Sequence, residues 1–306
     1  MQKKWFVIVN PTSGNCTARK LWPKIEHELQ VQLVHFETVF TEHKNHAFKL
    51  VQQAIDKGFL NIISVGGDGS LHNIINGIFN YNSAYKHIKL GVIPIGTGND
   101  WVKTYNIPID YKKAIEIIKA EHSIYQDIGK ISLENSQQNY YFNNVAGIGF
   151  DGYVVHKVHK YKNLGFLAYL SGAVLGLLNY KRPDLKITFN NTTLKGKCLL
   201  LFIGIGKYSG GGMQLTENVD TKDGLFDISY VKKLSLFTLL KNISKIFSGK
   251  VTALPIVNTY KTSTLKVTLK TNKNVYLQAD GELLKTDSFT VTTLPKALQF
   301  IVPKTK

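Results

Sequence analysis

Arginine and cysteine are scarce in this chain, and each scarcity argues against a class of protein. Arg19 and Arg182 are the only arginines, whereas proteins that read bases in a DNA groove rely on the bidentate arginine fork. Two cysteines, Cys16 and Cys198, are too few for a disulfide framework. One apolar stretch, residues 164–178, is shorter than the roughly 20 residues that a membrane-spanning helix needs.

Acidic residues are also few relative to basic ones. The chain carries 38 Lys and Arg against 21 Asp and Glu, which gives a net charge of +17. Such an excess indicates an acidic partner, either nucleic acid or an anionic membrane. Because nearly all the basic residues are lysines, the balance favours a membrane surface or a polyphosphate substrate over nucleic acid. A lysine-rich solvated surface without a partner is an equally good interpretation.

Strand and helix patterns divide the chain into two predicted domains. Short apolar strands alternate with helix patterns over residues 1–130, which predicts an α/β domain with a parallel sheet and crossover connections. Over residues 131–306, runs rich in Thr, Val and aromatic residues predict a mainly antiparallel β-sandwich. Helical patterns at residues 163–179 and 234–248 interrupt that second domain. The last segment, residues 289–306, is compatible with a return to the first domain.

Three glycine-rich turns follow strand-like runs in the first domain. They read Asn-Pro-Thr-Ser-Gly at residues 10–14, Gly-Gly-Asp-Gly-Ser at residues 66–70 and Ile-Gly-Thr-Gly-Asn-Asp at residues 95–100. Glycine after a strand lets the backbone turn sharply and brings its N–H groups close to a ligand. A helix after the second turn would add its positive end. Together the three turns predict a phosphate-binding edge.

These turns, in this order and at this spacing, resemble the catalytic domain of the diacylglycerol kinase and sphingosine kinase family, and in particular its bacterial soluble lipid kinases. The resemblance continues through motifs at residues 127–130, 147–151, 210–213, 223–225 and 280–282. It implies a first domain of the phosphofructokinase and NAD kinase type. It also implies an enzyme that uses ATP and Mg²⁺ to phosphorylate a lipid hydroxyl, with diacylglycerol as the expected substrate.

The resemblance assigns the nucleotide to the glycine turns. Backbone N–H groups and the hydroxyls of Ser13, Ser70 and Thr97 suit phosphate oxygens, although each hydroxyl could instead cap a helix or stabilise a turn. Ser70 stands where the family more often has threonine. The predicted nucleotide-binding residues are Asn10, Pro11, Thr12, Ser13, Gly14, Thr41, Gly66, Gly67, Asp68, Gly69, Ser70, Thr97, Gly98 and Asn99.

Three aspartates, Asp68, Asp100 and Asp127, lie at or just beyond predicted strand ends. Carboxylates beside phosphates would repel them unless a divalent cation lay between. The resemblance implies that these three residues hold Mg²⁺ through a water-mediated network. The alternative is that each carboxylate bonds backbone N–H groups in a turn, and this alternative is strongest for Asp127.

A second, structural Mg²⁺ is implied near the Asp-Gly pair at residues 223–224. By the resemblance, Asp223 supplies its carboxylate, and Asp220 and Leu225 supply backbone oxygens. A plain turn between two strands is the alternative. The stretch at residues 216–219 departs from the family because it lacks the usual proline.

Phosphoryl transfer to a hydroxyl needs a carboxylate that accepts the proton. The Asp-Gly-Glu sequence at residues 280–282 matches the family motif in which this base lies. Glu282 is therefore the predicted base, and Asp280 is either an alternative base or the residue that orients Glu282. An Asp-Gly turn without a catalytic role is the competing interpretation.

Residues 234–247 place apolar side chains at helical spacing among lysines. This pattern predicts a basic amphipathic helix that contacts an anionic membrane, although such a stripe is more often a core face. Residues 164–178 compete as a wall of the acyl-chain cleft. We expect a cytoplasmic protein, peripheral at the inner face of the membrane, that binds its lipid between the two domains. No nucleic acid partner is expected, and a homodimer is left open.

Two other functions compete with a lipid kinase. An NAD kinase shares the Gly-Gly-Asp-Gly turn, but the sequences at residues 10–14, 98–100 and 280–282 argue against it. A non-catalytic basic module that binds nucleotide is consistent with the charge of +17. It lacks any recognised nucleic-acid motif.

Overall fold

The computed structural model describes residues 4–32, 35–81, 87–158, 176–177, 180–216, 219–271 and 275–304. The chain divides into two compact units. Unit 1 comprises Met1–Asp127 and Pro295–Lys306, and unit 2 comprises Ile128–Leu294. Unit 1 thus ends three residues before the predicted boundary at residue 130. The segment that returns to unit 1 begins at Pro295, whereas the sequence places its start at residue 289.

A parallel sheet forms the centre of unit 1. Its strands are β1 (Trp5–Val9), β2 (Phe36–Phe40), β3 (Asn61–Gly66) and β4 (Lys89–Pro94), in the spatial order β2-β1-β3-β4. The end of the last strand, β16 (Phe289–Ile301), pairs in parallel with β4 through Gln299 and Phe300. All five residues of β1 are buried, as expected for a parallel sheet that is covered on both faces.

Helices connect these strands and cover the sheet. They are α1 (Ser13–Gln32), α2 (His46–Asp56), α3 (Asp68–Tyr81), α4 (Asp100–Thr104) and α5 (Tyr111–Ala120). Ile25 and Leu29 of α1 and Ile115 and Ile118 of α5 belong to one buried cluster with the sheet. This apolar face fixes the helices against the strands whose ends carry the glycine turns.

Unit 2 is mainly antiparallel. Its strands are β5 (Ser123–Leu133, shared with unit 1), β6 (Asn139–Phe142), β7 (Val145–Gly149), β8 (Asp184–Phe189), β9 (Thr192–Lys197), β10 (Leu200–Gly204), β11 (Phe226–Val231), β12 (Val257–Thr262), β13 (Thr264–Leu269), β14 (Leu277–Ala279) and β15 (Glu282–Leu283), with the first part of β16. One sheet has the order β12-β11-β10-β7-β14-β15. A second contains the antiparallel pairs β16-β13, β13-β8 and β8-β9. Buried side chains of both sheets, such as Ile203 and Val267, form one core.

The helices of unit 2 whose full extent lies within the described residues are short. They are α6 (Phe150–Val158), α7 (Leu236–Lys241) and α8 (Ile243–Phe247). The single helix predicted at residues 234–248 is therefore wrong in detail, because Asn242 separates α7 from α8. Most of the helix predicted at residues 163–179 lies outside the described residues. Within the ranges that the structure describes, no helix combines the length and the hydropathy needed to cross a bilayer.

Candidate active site

The carboxyl ends of the parallel strands bring the three glycine turns of unit 1 to one edge. Val9 of β1 lies opposite Val65 of β3, and Gly66 lies opposite Pro94 of β4. Since parallel strands end on the same side of a sheet, all three turns leave from this edge. Thr41, which follows β2, joins them because its backbone N–H donates to the Val9 carbonyl at 2.9 Å.

Polar side chains link the first turn to the second. The Asn10 amide nitrogen donates to the Ser70 hydroxyl at 3.0 Å, and the Ser13 hydroxyl lies 3.3 Å from the same oxygen. The side-chain oxygen Oδ1 of Asn10 accepts from the backbone N–H and the hydroxyl of Thr12 at 3.1 and 2.8 Å. Pro11, between them, is half-buried. The two serine hydroxyls predicted to meet phosphate thus lie side by side.

Glycine is required where the second and third turns touch. A Cβ atom on Gly66 would lie 2.3 Å from the Ser70 hydroxyl oxygen, and one on Gly96 would lie 2.6 Å from the Gly67 Cα. Asn99, which is buried, donates to the Gly96 carbonyl at 2.8 Å. Its Oδ1 accepts no hydrogen bond within the part of the chain that the structure describes.

The other predicted residues of the turns lie at the same edge. Thr97 is exposed and Gly69 is half-buried. Gly14 has a positive φ of 59° and packs so closely that a Cβ atom would lie 3.0 Å from the Ile95 carbonyl oxygen. The first turn is therefore in contact with the third as well as with the second.

Asp68 ties the second turn to the third through its carboxylate. Its two oxygens accept the backbone N–H groups of Asp100 and Trp101 at 3.0 and 3.1 Å, at the start of α4. A Cβ atom on Gly98 would lie 3.1 Å from an oxygen of Asp68 and 3.6 Å from one of Asp100. Both carboxylates therefore border one small space, and the other oxygen of Asp100 pairs with Lys103 at 2.9 Å.

The donor set at Gly98 fits a hydrated cation rather than a closed metal cage. Among the described residues, no three Asp, Glu, His or Cys side chains converge as metal ligands. Mg²⁺ usually keeps several waters and binds proteins through one or two carboxylates, which Asp68 and Asp100 provide. Asp127 is fully buried, and its carboxylate accepts the Lys296 backbone N–H at 2.7 Å. A part for Asp127 in holding Mg²⁺ stays a prediction.

In the second predicted cation loop, a lysine pairs with the aspartate that is predicted to hold the ion. The Asp223 carboxylate accepts the Leu225 N–H at 2.9 Å and pairs with Lys261 at 3.1 Å, and Lys261 lies 3.5 Å from Asp227. Burial acts to lower the pKa of Lys261, but its bond to Asp223 and the charges of both aspartates raise it overall. The Asp220 carboxylate accepts the N–H of Lys222 at 3.0 Å. A structural Mg²⁺ held by Asp223, Asp220 and Leu225 stays a prediction, and residues 217–218 upstream lie outside the described residues.

The Asp-Gly-Glu motif forms a two-residue hairpin between β14 and β15. Asp280 and Gly281 have positive φ values of 49° and 80°, as a type I′ turn requires. The Asp280 carboxylate accepts the backbone N–H groups of Asn143, Asn144 and Val145 at 3.2, 3.0 and 3.1 Å. Asp280 therefore anchors the hairpin to the start of β7. Glu282 is the half-buried first residue of β15.

Two buried residues, Asp151 and Gln278, support this hairpin through hydrogen bonds. Neither of them was assigned a role from the sequence. The Gln278 side chain donates to the Asp151 carboxylate and accepts the Gly281 N–H, both at 2.9 Å. A Cβ atom on Gly147 would lie 2.1 Å from the same carboxylate. Glycine four residues before the aspartate was the available signal, since it leaves room for the buried side chain.

Burial raises the pKa of Asp151 to about 6, although its bond from Gln278 and nearby backbone N–H groups act in the opposite direction. Burial also raises the pKa of Cys198 to about 12 and raises that of Tyr180. Both neighbours therefore stay neutral while Asp151 titrates. Because the folded-state pKa is raised, folding becomes less favourable as pH rises from about 4 to about 6.

We expect Asp151→Asn to increase the free energy of unfolding at pH 7.5 and to leave it nearly unchanged at pH 4. The amide keeps an acceptor for Gln278 and removes the cost of burying a charge, which is on the order of 2–3 kcal/mol. Urea denaturation at both pH values measures the difference. Glu116→Gln, on an exposed face of α5, is the matched control. An Asp151→Asn effect of equal size at both pH values would contradict the assignment.

Unit 2 also contains an apolar cavity of about 130 Å³. Leu200, Met213, Leu239 and Ile246 contribute to its lining, and Asp151 is one of its few polar neighbours. The apolar stripe predicted at residues 234–247 is thus divided between two faces. Leu239 and Ile246 face the cavity, which agrees with the alternative that such a stripe is a core face, while contact of this segment with a membrane stays a prediction.

Comparisons with known proteins show the family of this chain. Residues 4–131 match the diacylglycerol kinase catalytic domain, and residues 144–302 match the YegS C-terminal NAD kinase beta sandwich-like domain. A diacylglycerol kinase of Staphylococcus aureus (strain bovine RF122 / ET3-1) is 30% identical over 285 residues, which cover 92% of this chain and 87% of the relative. The matches define a two-domain kinase. The chain belongs to the diacylglycerol kinase catalytic domain family.

Solved structures show the same fold. A Bacillus anthracis str. Sterne protein, provisionally described as a diacylglycerol kinase, aligns with a TM-score of 0.80 at 24% identity, over 99% of this chain and 98% of that one. Yeast NADH kinase in complex with NADH aligns with a TM-score of 0.58 at 9% identity, over 99% and 84%. The predicted α/β domain with a β-sandwich domain, of the NAD kinase type, is confirmed.

Proposed function

We propose that this kinase transfers the γ-phosphoryl group of ATP to a lipid hydroxyl in a Mg²⁺-dependent reaction, and that diacylglycerol is its substrate and phosphatidic acid its product. The observation that carries the proposal is the interlocked edge of unit 1. Three turns from separate strands contact one another there through Ser13, Ser70, Asp68 and the glycines.

The edge of unit 1 supplies what a triphosphate needs. Closely packed glycines leave backbone N–H groups accessible, and the N-terminus of α3 adds its positive end. The hydroxyls of Ser13 and Ser70 lie 3.3 Å apart, so both can donate to one phosphate group. Asn99 supports the third turn through its bond to the Gly96 carbonyl.

The cation would be held beside Gly98 by Asp68 and Asp100, mostly through water. When bound, Mg²⁺ would neutralise charge on the β- and γ-phosphates. Asp68 also bonds the first backbone N–H groups of α4. Its carboxylate is therefore held in place before any ligand arrives.

Glu282 is the proposed general base. Both oxygens of the Asp280 carboxylate are engaged by backbone N–H groups, from Asn143, Asn144 and Val145, so this side chain is committed to holding the hairpin. Glu282 follows on the same rigid hairpin. It would take the hydroxyl proton as the lipid oxygen bonds to the γ-phosphorus and ADP leaves.

A lipid acceptor is supported by the apolar cavity of unit 2. A cavity lined mainly by aliphatic side chains favours an alkyl chain over a polar acceptor such as NAD. A relative that is 30% identical is named a diacylglycerol kinase, which is consistent with that preference.

Labelled phosphate transfer tests the proposal. The purified protein is incubated with γ-labelled ATP and Mg²⁺ and with diacylglycerol, monoacylglycerol, ceramide, sphingosine or NAD as acceptor. We expect label in phosphatidic acid and its loss on chelation of Mg²⁺. Label in NAD and in no lipid would overturn the proposal. Label in another lipid alone would keep the lipid kinase and exclude diacylglycerol.

A further inference from the structure

We propose that the outer face of α7 and the lysines around it form a docking surface for an anionic bilayer. This docking surface consists of Phe237, Leu240, Lys232, Lys233 and Lys241. The inference rests on the proposed function, because it names the surface from which the lipid substrate is taken. It narrows the prediction that the helix pattern at residues 234–247 contacts an anionic membrane to one face of α7.

Exposure selects Phe237 and Leu240 from the apolar residues of this segment. The Phe237 side chain is 75% exposed and Leu240 is 52% exposed. Phe237 is the most exposed large hydrophobic residue in the described parts of the chain. Positions three apart on a helix lie on the same face, so the two side chains form one apolar projection. Large exposed apolar side chains of this kind mark interaction sites.

The charged residues that flank this projection in the sequence are of one sign. Lys232, Lys233 and Lys241 are exposed, and the sequence contains no Asp or Glu between Asp227 and Asp280. Apolar side chains surrounded by lysines match a bilayer with anionic headgroups, where the alkyl groups insert and the ammonium groups remain at the headgroups. A protein partner would require an acidic surface with its own apolar pocket.

The opposite face of the same segment reaches the apolar cavity. Thr238 and Leu239 of α7 and Ile246 of α8 contribute to its lining. Two short helices thus form a single layer with the docking surface outside and the cavity inside. A bilayer against the outer face would bring acyl chains within one helix thickness of the cavity.

Vesicle sedimentation tests the docking surface. The probes are phosphatidylcholine vesicles with or without phosphatidylglycerol. The apolar variant carries Phe237→Gln and Leu240→Gln. The lysine variant carries Lys232→Gln, Lys233→Gln and Lys241→Gln. We expect wild-type protein to bind the anionic vesicles, and each variant to bind them about tenfold more weakly. Added salt should weaken vesicle binding by the lysine variant less than it weakens binding by the wild type.

A matched control lies in unit 1. Ile109 is 69% exposed and precedes the exposed Lys112 and Lys113, so Ile109→Gln with Lys112→Gln and Lys113→Gln removes similar groups elsewhere. Unchanged binding of this control supports the docking surface. An equal loss in the control would overturn it in favour of diffuse attraction by the whole basic surface. Full binding by both docking variants would overturn it as well.

A second assay separates this inference from the proposed function. A short-chain diacylglycerol dissolved without vesicles needs no docking, so the Phe237 and Leu240 variant should turn it over at the wild-type rate and lose activity only on vesicles. If neither the wild type nor the variant phosphorylated diacylglycerol in either form, the proposed lipid kinase activity would be overturned. The sedimentation result would still test the docking surface. Equal loss on dissolved and vesicle substrate would overturn the docking surface.

Discussion

Glu282→Gln is expected to lower the rate of lipid phosphorylation by about a thousandfold, within the range typical for loss of a general base. The amide has the shape of the carboxylate but cannot accept the proton of the hydroxyl. Because Glu282 lies on β15 and the nucleotide edge belongs to unit 1, the Km for ATP should stay close to that of the wild type. Steady-state kinetics with varied ATP and varied diacylglycerol measures both quantities.

Asp280→Asn supplies the contrast for this prediction. Asparagine has one acceptor oxygen for the three backbone N–H groups that Asp280 holds, so we expect a lower unfolding temperature and a partial loss of rate. Glu282→Asp keeps a carboxylate on a shorter side chain and should recover part of the activity. A nearly active Glu282→Gln beside an inactive, well-folded Asp280→Asn would reverse the two assignments.

Gly96→Ala is expected to weaken ATP binding by roughly 10- to 100-fold. Its Cβ would lie 2.6 Å from the Gly67 Cα and 2.5 Å from the Asn99 side-chain oxygen, and the Gly67 backbone cannot rotate away as a side chain can. Overpacking of this kind costs about 1–3 kcal/mol of folding stability. If the turns relieve it by moving apart, ATP binding must restore their positions at a similar cost, and each 1.4 kcal/mol corresponds to about tenfold in affinity. Isothermal titration with a non-hydrolysable ATP analogue measures the change.

Gly58→Ala is the control in the same unit. Gly58 has a positive φ of 77°, but no atom lies within 4 Å of the position that its Cβ would take. Alanine there should lower stability by about 1 kcal/mol and leave ATP affinity unchanged. If both alanine variants bound ATP as tightly as the wild type, close packing of the second and third turns would not matter for the nucleotide.

Local pattern was sufficient to predict the turns of unit 1. The apolar runs before Asn10, Gly66 and Ile95 proved to be parallel strands, and parallel strands end at one edge whatever the details of their packing. The order of motifs along the chain then indicated the family. Both predictions depend on features within a few residues of each other, which a sequence displays directly.

Contacts between distant residues were not predictable in this way. The bonds of Gln278 with Asp151 and the pairing of Lys261 with Asp223 join residues 127 and 38 positions apart. The division of residues 234–247 into a cavity face and an exposed face likewise depends on which side of α7 the sheet covers. Helical periodicity identified the apolar positions but not what each one contacts. The buried Leu239 and the exposed Leu240 were therefore placed in the same predicted stripe.

The two crossings of β5 and β16 between the units have a consequence for synthesis. Unit 1 is formed by the segments that precede and follow unit 2 in the chain, Met1–Asp127 and Pro295–Lys306. The end of β16, which pairs with β4, therefore leaves the ribosome only after all of unit 2. This segment includes Phe300, whose ring lies 4.7 Å from that of Trp101. Of these two units, the one whose translation starts earlier is the later one to complete its sheet.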